Sequence, residues 1–155
     1  MTSPKVLQVS DGDTVVLSSS DGFEVRSRLV GIDCPEVPHK ERRRGRKAKP
    51  GQPLGEEAKK RLGELLQAPF TVNAFGNDAY GRSLVELRLA DGKVVNQLLV
   101  EEGFCEVYRK GNRNKKGFKL SIYEEAEQRA KSAKKGIWGL KHYEPPDVYR
   151  RRYRD

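Results

Sequence analysis

Cysteine is nearly absent from this chain of 155 residues: there are two, Cys34 and Cys105. That excludes a disulfide framework, and their spacing fits no zinc pattern. The two either form one bridge or sit as small half-buried side chains. Long apolar runs are also missing. None approaches the roughly 20 residues of a membrane-spanning helix, and Met1-Thr2-Ser3-Pro4-Lys5 lacks the apolar stretch of a secretory signal. Apolar residues make up only 35% of the chain, so few can be spared for a large apolar binding patch. Acid is in deficit, with 22 Asp and Glu against 31 Lys and Arg, a formal charge of +9. This balance favours a polyanionic partner, nucleic acid or anionic membrane, or simply keeps a basic protein soluble. The length fits one domain.

What is present begins with short β-rich runs. Val6 to Val9, Thr14 to Leu17 and Phe23 to Ile32 are separated by Asp11-Gly12 and Asp21-Gly22. Asp-Gly tolerates positive φ and favours tight turns, so an antiparallel meander is expected. Residues 37–53 carry a run of Lys and Arg without apolar periodicity and read as a mobile surface loop. Ala58, Leu62, Leu65 and Leu66 then share a helical face, with Glu56 and Glu57 in the first turn and Pro69 beyond the end. Phe70 to Phe75 and Ser83 to Leu89 predict two more strands. A short helix over about 95–102 stops at Gly103, and a last one over about 121–135 stops at Gly136. Five short strands with a helix between the third and fourth predict an α+β fold, an OB-type five-stranded β-barrel with three α-helices. That domain spans 1–142, and the basic tail 143–155 is expected to be disordered.

Three stretches place charge where strands end: Asp11-Gly12-Asp13-Thr14, Arg28 to Glu36, and Asp78-Ala79-Tyr80-Gly81-Arg82. Arg28 and Asp33 leave opposite faces of an ideal strand, and a bulge at Gly31 would bring them together. Pro35 keeps Cys34 extended and its carbonyl turned outward. Alone, each stretch has an ordinary reading as a turn or a cross-strand pair. Together, carboxylates and a backbone carbonyl make the hard oxygen set that calcium prefers, and the arginines suit a phosphodiester.

The motifs D-G-D-T, R-L-V-G-I-D-C-P-E, G-E-E-A and Y-G-R, and the closing Gly136-Ile137-Trp138, resemble the thermonuclease, or staphylococcal-nuclease-like, family from Val6 to about Leu140. The resemblance implies a calcium-dependent nuclease on an OB-fold, hydrolysing DNA and RNA internally to give 3′-phosphate and 5′-hydroxyl ends. It carries the Ca2+ ligands onto Asp13, Asp33 and the Cys34 carbonyl. The water-activating carboxylate falls on Glu36, and the catalytic arginines on Arg28 and Arg82. Tyr80 and Tyr108 become substrate-binding candidates, and Asp11 supports the ligands from behind. Ala79 stands where a basic residue is common. Arg42, Arg43 and Arg44 are candidates for a basic clamp on the backbone.

The alternative is a non-catalytic OB-type module that binds single-stranded nucleic acid. A monomer is expected. By resemblance the protein is secreted or in the cell envelope, with its leader absent from this chain, and is otherwise cytoplasmic. His39 and His142 read as surface residues, and Trp138 as an anchor for the last helix.

Overall fold

The computed structural model describes residues 4–40, 47–112 and 115–154. Alternation builds the first strands. In β2 (Thr14–Ser18), Val15 and Leu17 are buried while Thr14, Val16 and Ser18 stay half-exposed. This is the period of two that pleating imposes. β1 (Val6–Asp11) pairs antiparallel with β2, and β2 with β3 (Glu24–Leu29), which sets Thr14 opposite Arg28. The meander expected from the Asp-Gly turns is present.

The strand expected over 23–32 divides in two. β3 stops at Leu29, Val30 and Gly31 turn, and β4 (Ile32–Asp33) pairs with β7 (Glu106–Val107) in a separate two-stranded sheet. Gly31 has φ +84°, and a Cβ there would lie 2.5 Å from the Phe118 ring. Both the backbone and the packing therefore call for glycine.

β3 continues into the main sheet through a parallel pairing with β6 (Ser83–Leu89), and β6 pairs antiparallel with β5 (Phe70–Asn77). The sheet order is β1-β2-β3-β6-β5. Among the described residues no ladder joins β1 to β5, so hydrogen bonding does not close the expected barrel. The mixed α+β architecture and the five-stranded sheet stand.

α1 (Gly55–Leu65) buries Ala58 and Leu62 against β1, and α2 (Val95–Glu101) buries Val95, Leu99 and Val100 against β6. α3 (Leu120–Ser132) turns Tyr123, Ala126 and Ala130 inward, at the three- and four-residue spacing of one helix face. Cys34 and Cys105 are bonded inside this core, across a sequence separation of 71.

The tail corrects the expectation of disorder. Residues Pro146–Arg152 form a fourth helix, α4. Pro146 suits a first turn that needs no N–H donor. Tyr149 is buried, and its hydroxyl accepts the Gly51 N–H at 2.8 Å. Gln52 Nε2 donates to the Glu144 carbonyl at 2.7 Å. A tail that looks only basic and aromatic in sequence is thus docked by two bonds to the segment ahead of α1.

Candidate functional site

The end of β1 supplies Asp11, and the turn into β2 supplies Asp13. β3 supplies Arg28, and β4 with its following turn supplies Asp33, Cys34 and Glu36. The break at Gly31 does what a bulge was expected to do. Arg28 Nη2 lies 3.5 Å from Asp33 Oδ1, and Arg28 Nη1 lies 3.3 Å from Asp13 Oδ2. Asp13 Oδ2 also accepts the Cys34 N–H at 2.8 Å, and Asp13 Oδ1 accepts the Thr14 hydroxyl at 2.9 Å.

Glu36 is fixed through its backbone. Its N–H donates to Gln52 Oε1 at 3.0 Å. Gly55, at the start of α1, packs so closely on the Glu36 carbonyl that a Cβ there would overlap it. The glycine of the G-E-E-A motif is therefore a contact requirement as well as a helix start.

Asp11, Asp13, Arg28 and Glu36 line a cleft of about 610 Å³ together with Tyr80, Arg82 and Tyr108. The Tyr108 ring lies under the Arg28 guanidinium, 6.0 Å from its centroid. Arg82 reaches the cleft from the β5–β6 turn without bonding the buried acids. Its Nε donates to Asp78 Oδ2 at 2.7 Å, while Asp78 Oδ1 accepts the N–H groups of Tyr80 and Arg82, both at 2.9 Å. Burial alone would raise the Asp78 pKa, but these hydrogen bonds outweigh it and the net shift is downward. Asp78 is thus the ionised post that aims Arg82. The structure brings Asp11, Asp13, Arg28, Glu36, Tyr80, Arg82 and Tyr108 to one cleft, with Asp33 buried behind Arg28. Arg42, Arg43 and Arg44 lie outside the described residues.

Two participants have no signal in the sequence. His39 was expected to be an ordinary surface residue, yet Asp11, Glu36 and His39 each place a ligand atom within 4.8 Å of the others. The chain crosses back at this point, since His39 and Lys49 exchange backbone hydrogen bonds. Arg150 is the other. From α4 its Nη1 donates to Asp33 Oδ1 and to Glu36 Oε1, each at 2.9 Å, and its Nη2 donates to Asp33 Oδ2 at 2.8 Å. Arg150 is one of three consecutive arginines, and no sequence spacing singles it out. His142 is exposed, as expected.

The electrostatics match a cation site. Burial, then repulsion from Asp13 and Glu36, raises the Asp11 pKa to about 7. Burial is also the largest cause raising Asp33 and Glu36, against the opposing pull of Arg150. Asp11, Asp13, Asp33 and Glu36 lie close enough to repel one another, two arginines pair with the last three, and a divalent cation would relieve the remaining repulsion. The donors are hard oxygens, which fits calcium. The family resemblance assigns it to Asp13, Asp33 and the Cys34 carbonyl, while the ligand atoms that lie within 4.8 Å of one another are those of Asp11, Glu36 and His39.

Residues 26–139 match the family described as staphylococcal nuclease homologue. A protein named "Probable endonuclease" from Eremothecium gossypii is 33% identical over 81% of this chain and 44% of its own length. An endonuclease of Saprolegnia parasitica is 29% identical over 96% of this chain and 75% of its own length. An "Uncharacterized endonuclease" of Escherichia coli is 32% identical over 96% of this chain and 84% of its own length. The chain therefore spans less than half of the first of these relatives and most of the other two. The family match takes in all of α1 to α3 and the residues from Arg28 to Arg82 that build the cleft, and with it the chain belongs to the staphylococcal nuclease homologue family.

Proposed function

We propose that the protein is a calcium-dependent nuclease that hydrolyses internal phosphodiester bonds of DNA and RNA, leaving 3′-phosphate and 5′-hydroxyl ends. The observation that carries this reading is Arg28 held between Asp13 and Asp33, with Glu36 in the same cleft. The endonuclease names of the relatives support it, and the OB-type architecture agrees with it.

When bound, calcium supplies charge neutralisation at a phosphate oxygen. The remaining work belongs to the chain. Arg28 and Arg82 donate to equatorial phosphate oxygens as charge builds in the transition state, through planar forks that stay protonated at any working pH. Glu36 accepts the proton of the attacking water or orients that water for in-line attack. Tyr80, highly exposed at 79%, offers a ring to a neighbouring base.

The test is digestion of plasmid and denatured DNA with calcium or with chelator. Calcium-dependent cleavage that falls sharply in Glu36→Gln and Arg82→Ala supports the reading. Binding without cleavage would replace it with a single-strand-binding module. Full activity in both variants would remove the assigned roles.

A further inference from the structure

The fork of Arg150 engages both oxygens of Asp33 and one of Glu36, the two carboxylates that the proposed reaction needs free for metal and water. This grip does not come from a loose end of chain. α4 is held independently of it by the Tyr149 hydroxyl on Gly51 and by Gln52 on the carbonyl of Glu144, just ahead of the helix, to which Arg152 Nη2 also donates at Oε1, 2.9 Å. A displaced Arg150 side chain would therefore swing from a fixed backbone and stay within the cleft.

Its surroundings show where it would swing. Arg150 lies where the main cleft meets a second one of about 340 Å³, and both clefts share Glu36, Tyr80 and Arg150 as walls. The Arg150 side chain is 40% exposed, against 13% for Arg28. It is the more accessible of the two guanidiniums on Asp33. A guanidinium fork that fits a carboxylate also fits two oxygens of a phosphodiester. A divalent cation on Asp33 repels a guanidinium bonded to the same oxygens.

We propose that Arg150 is an exchangeable guanidinium, which neutralises Asp33 and Glu36 while the cleft is free of cation and substrate, and passes to a substrate phosphate when a divalent cation takes its place. This rests on the nuclease reading above. It adds a third phosphate-binding arginine, supplied by α4 from beyond the stretch that matches the family.

The test pairs calcium affinity, measured calorimetrically without substrate, with turnover at saturating calcium and substrate. Arg150→Gln is expected to bind calcium about threefold more tightly or better, because a competing cation is gone. Its turnover is expected to fall by about tenfold or more, because a transition-state donor is gone. Arg150→Lys keeps the charge without the fork, so its calcium affinity should stay near wild type while turnover drops. Arg151→Gln removes a neighbouring charge that, among the described residues, pairs with Asp147 on the same helix, and should change neither. Unfolding midpoints are recorded for each variant, and Arg150→Lys carries the test if Arg150→Gln is destabilised.

Unchanged or weaker calcium binding in Arg150→Gln would overturn the exchange. Tighter calcium binding with unchanged turnover would overturn the transfer to phosphate. Failure of the nuclease reading shows separately, as a wild-type protein that cleaves nothing with any divalent cation, and leaves the calcium comparison standing.

Discussion

The Asp13 carboxylate accepts the backbone N–H of Cys34 at 2.8 Å, which joins the β1–β2 turn to the end of β4. The same oxygen lies 3.3 Å from Arg28. One atom thus sets the spacing between two candidate calcium ligands and a candidate phosphate donor. Asp13→Asn keeps an acceptor for the Cys34 N–H but loses the charge. It should fold with nearly wild-type stability and lose calcium affinity and activity together. Asp13→Ala leaves the N–H unpaired as well, and should lower unfolding free energy by a further amount of about 1–3 kcal/mol. Denaturant unfolding beside calcium titration separates the two effects.

The bond between Cys34 and Cys105 closes a loop with a sequence separation of 71. In the chain-entropy account such a loop restricts the unfolded state by about 4 kcal/mol. Replacing both cysteines with alanine, or adding reductant, should lower the unfolding midpoint. The double variant should then no longer respond to reductant.

Asn96 is fully buried and makes three bonds. Its Nδ2 donates to the Val30 and Val85 carbonyls, each at 2.9 Å, and its Oδ1 accepts the Leu87 N–H at 3.1 Å. It fastens the turn after β3 to β6. Asn96→Ala strands the Val30 carbonyl and the Leu87 N–H, while the Val85 carbonyl keeps the Val30 N–H, and should destabilise the fold by about 2–4 kcal/mol in urea unfolding. The turn it anchors presents Asp33, so activity at temperatures well below unfolding should fall as well.

Glu106 sits beside β4 and accepts the Tyr143 hydroxyl at 2.7 Å. Burial raises its pKa despite that bond. A raised carboxyl binds more protons folded than unfolded, so its stabilising contribution is full below the unfolded value of 4.5 and is lost as pH rises through the folded value. Glu106→Gln keeps an acceptor for Tyr143 without the titration. Its stability relative to wild type should therefore increase from acid toward neutral pH, and an unchanging difference across that range would count against the assignment.

For the basic segment, the test is salt. Neutralising Arg42, Arg43 and Arg44 together should make the salt slope of nucleic-acid binding shallower, by roughly 2 to 3 if all three contact phosphates. Turnover at saturating substrate should change little.

The strands and the first three helices were legible because their signals are local. Val15 and Leu17 alternate, Ala58 and Leu62 share a helix face, and Asp-Gly marks the turns. The grouping of Asp13, Arg28, Asp33 and Glu36 was legible for a different reason, since short motifs carried it through a family resemblance. Strand pairing across the sheet edges is a property of the whole chain, and the open edges of β1 and β5 leave no local trace. His39 reaches Asp11 and Glu36 through a backbone crossing with Lys49. Arg150 reaches Asp33 because Tyr149 and Glu144 dock more than 90 residues away in sequence. Composition shows a basic tail but carries no information about such docking.

The Gln52 amide grips the Glu36 backbone with one end and the Glu144 backbone with the other. The family match ends at residue 139, so a fragment cut there would keep all five strands of the main sheet and the first three helices. It would nevertheless leave Gln52 held at one end only and remove every contact that α4 makes with Asp33 and Glu36. The family match thus stops short of the helix that grips Asp33 and Glu36, although the relatives from Saprolegnia parasitica and Escherichia coli align over 96% of this chain.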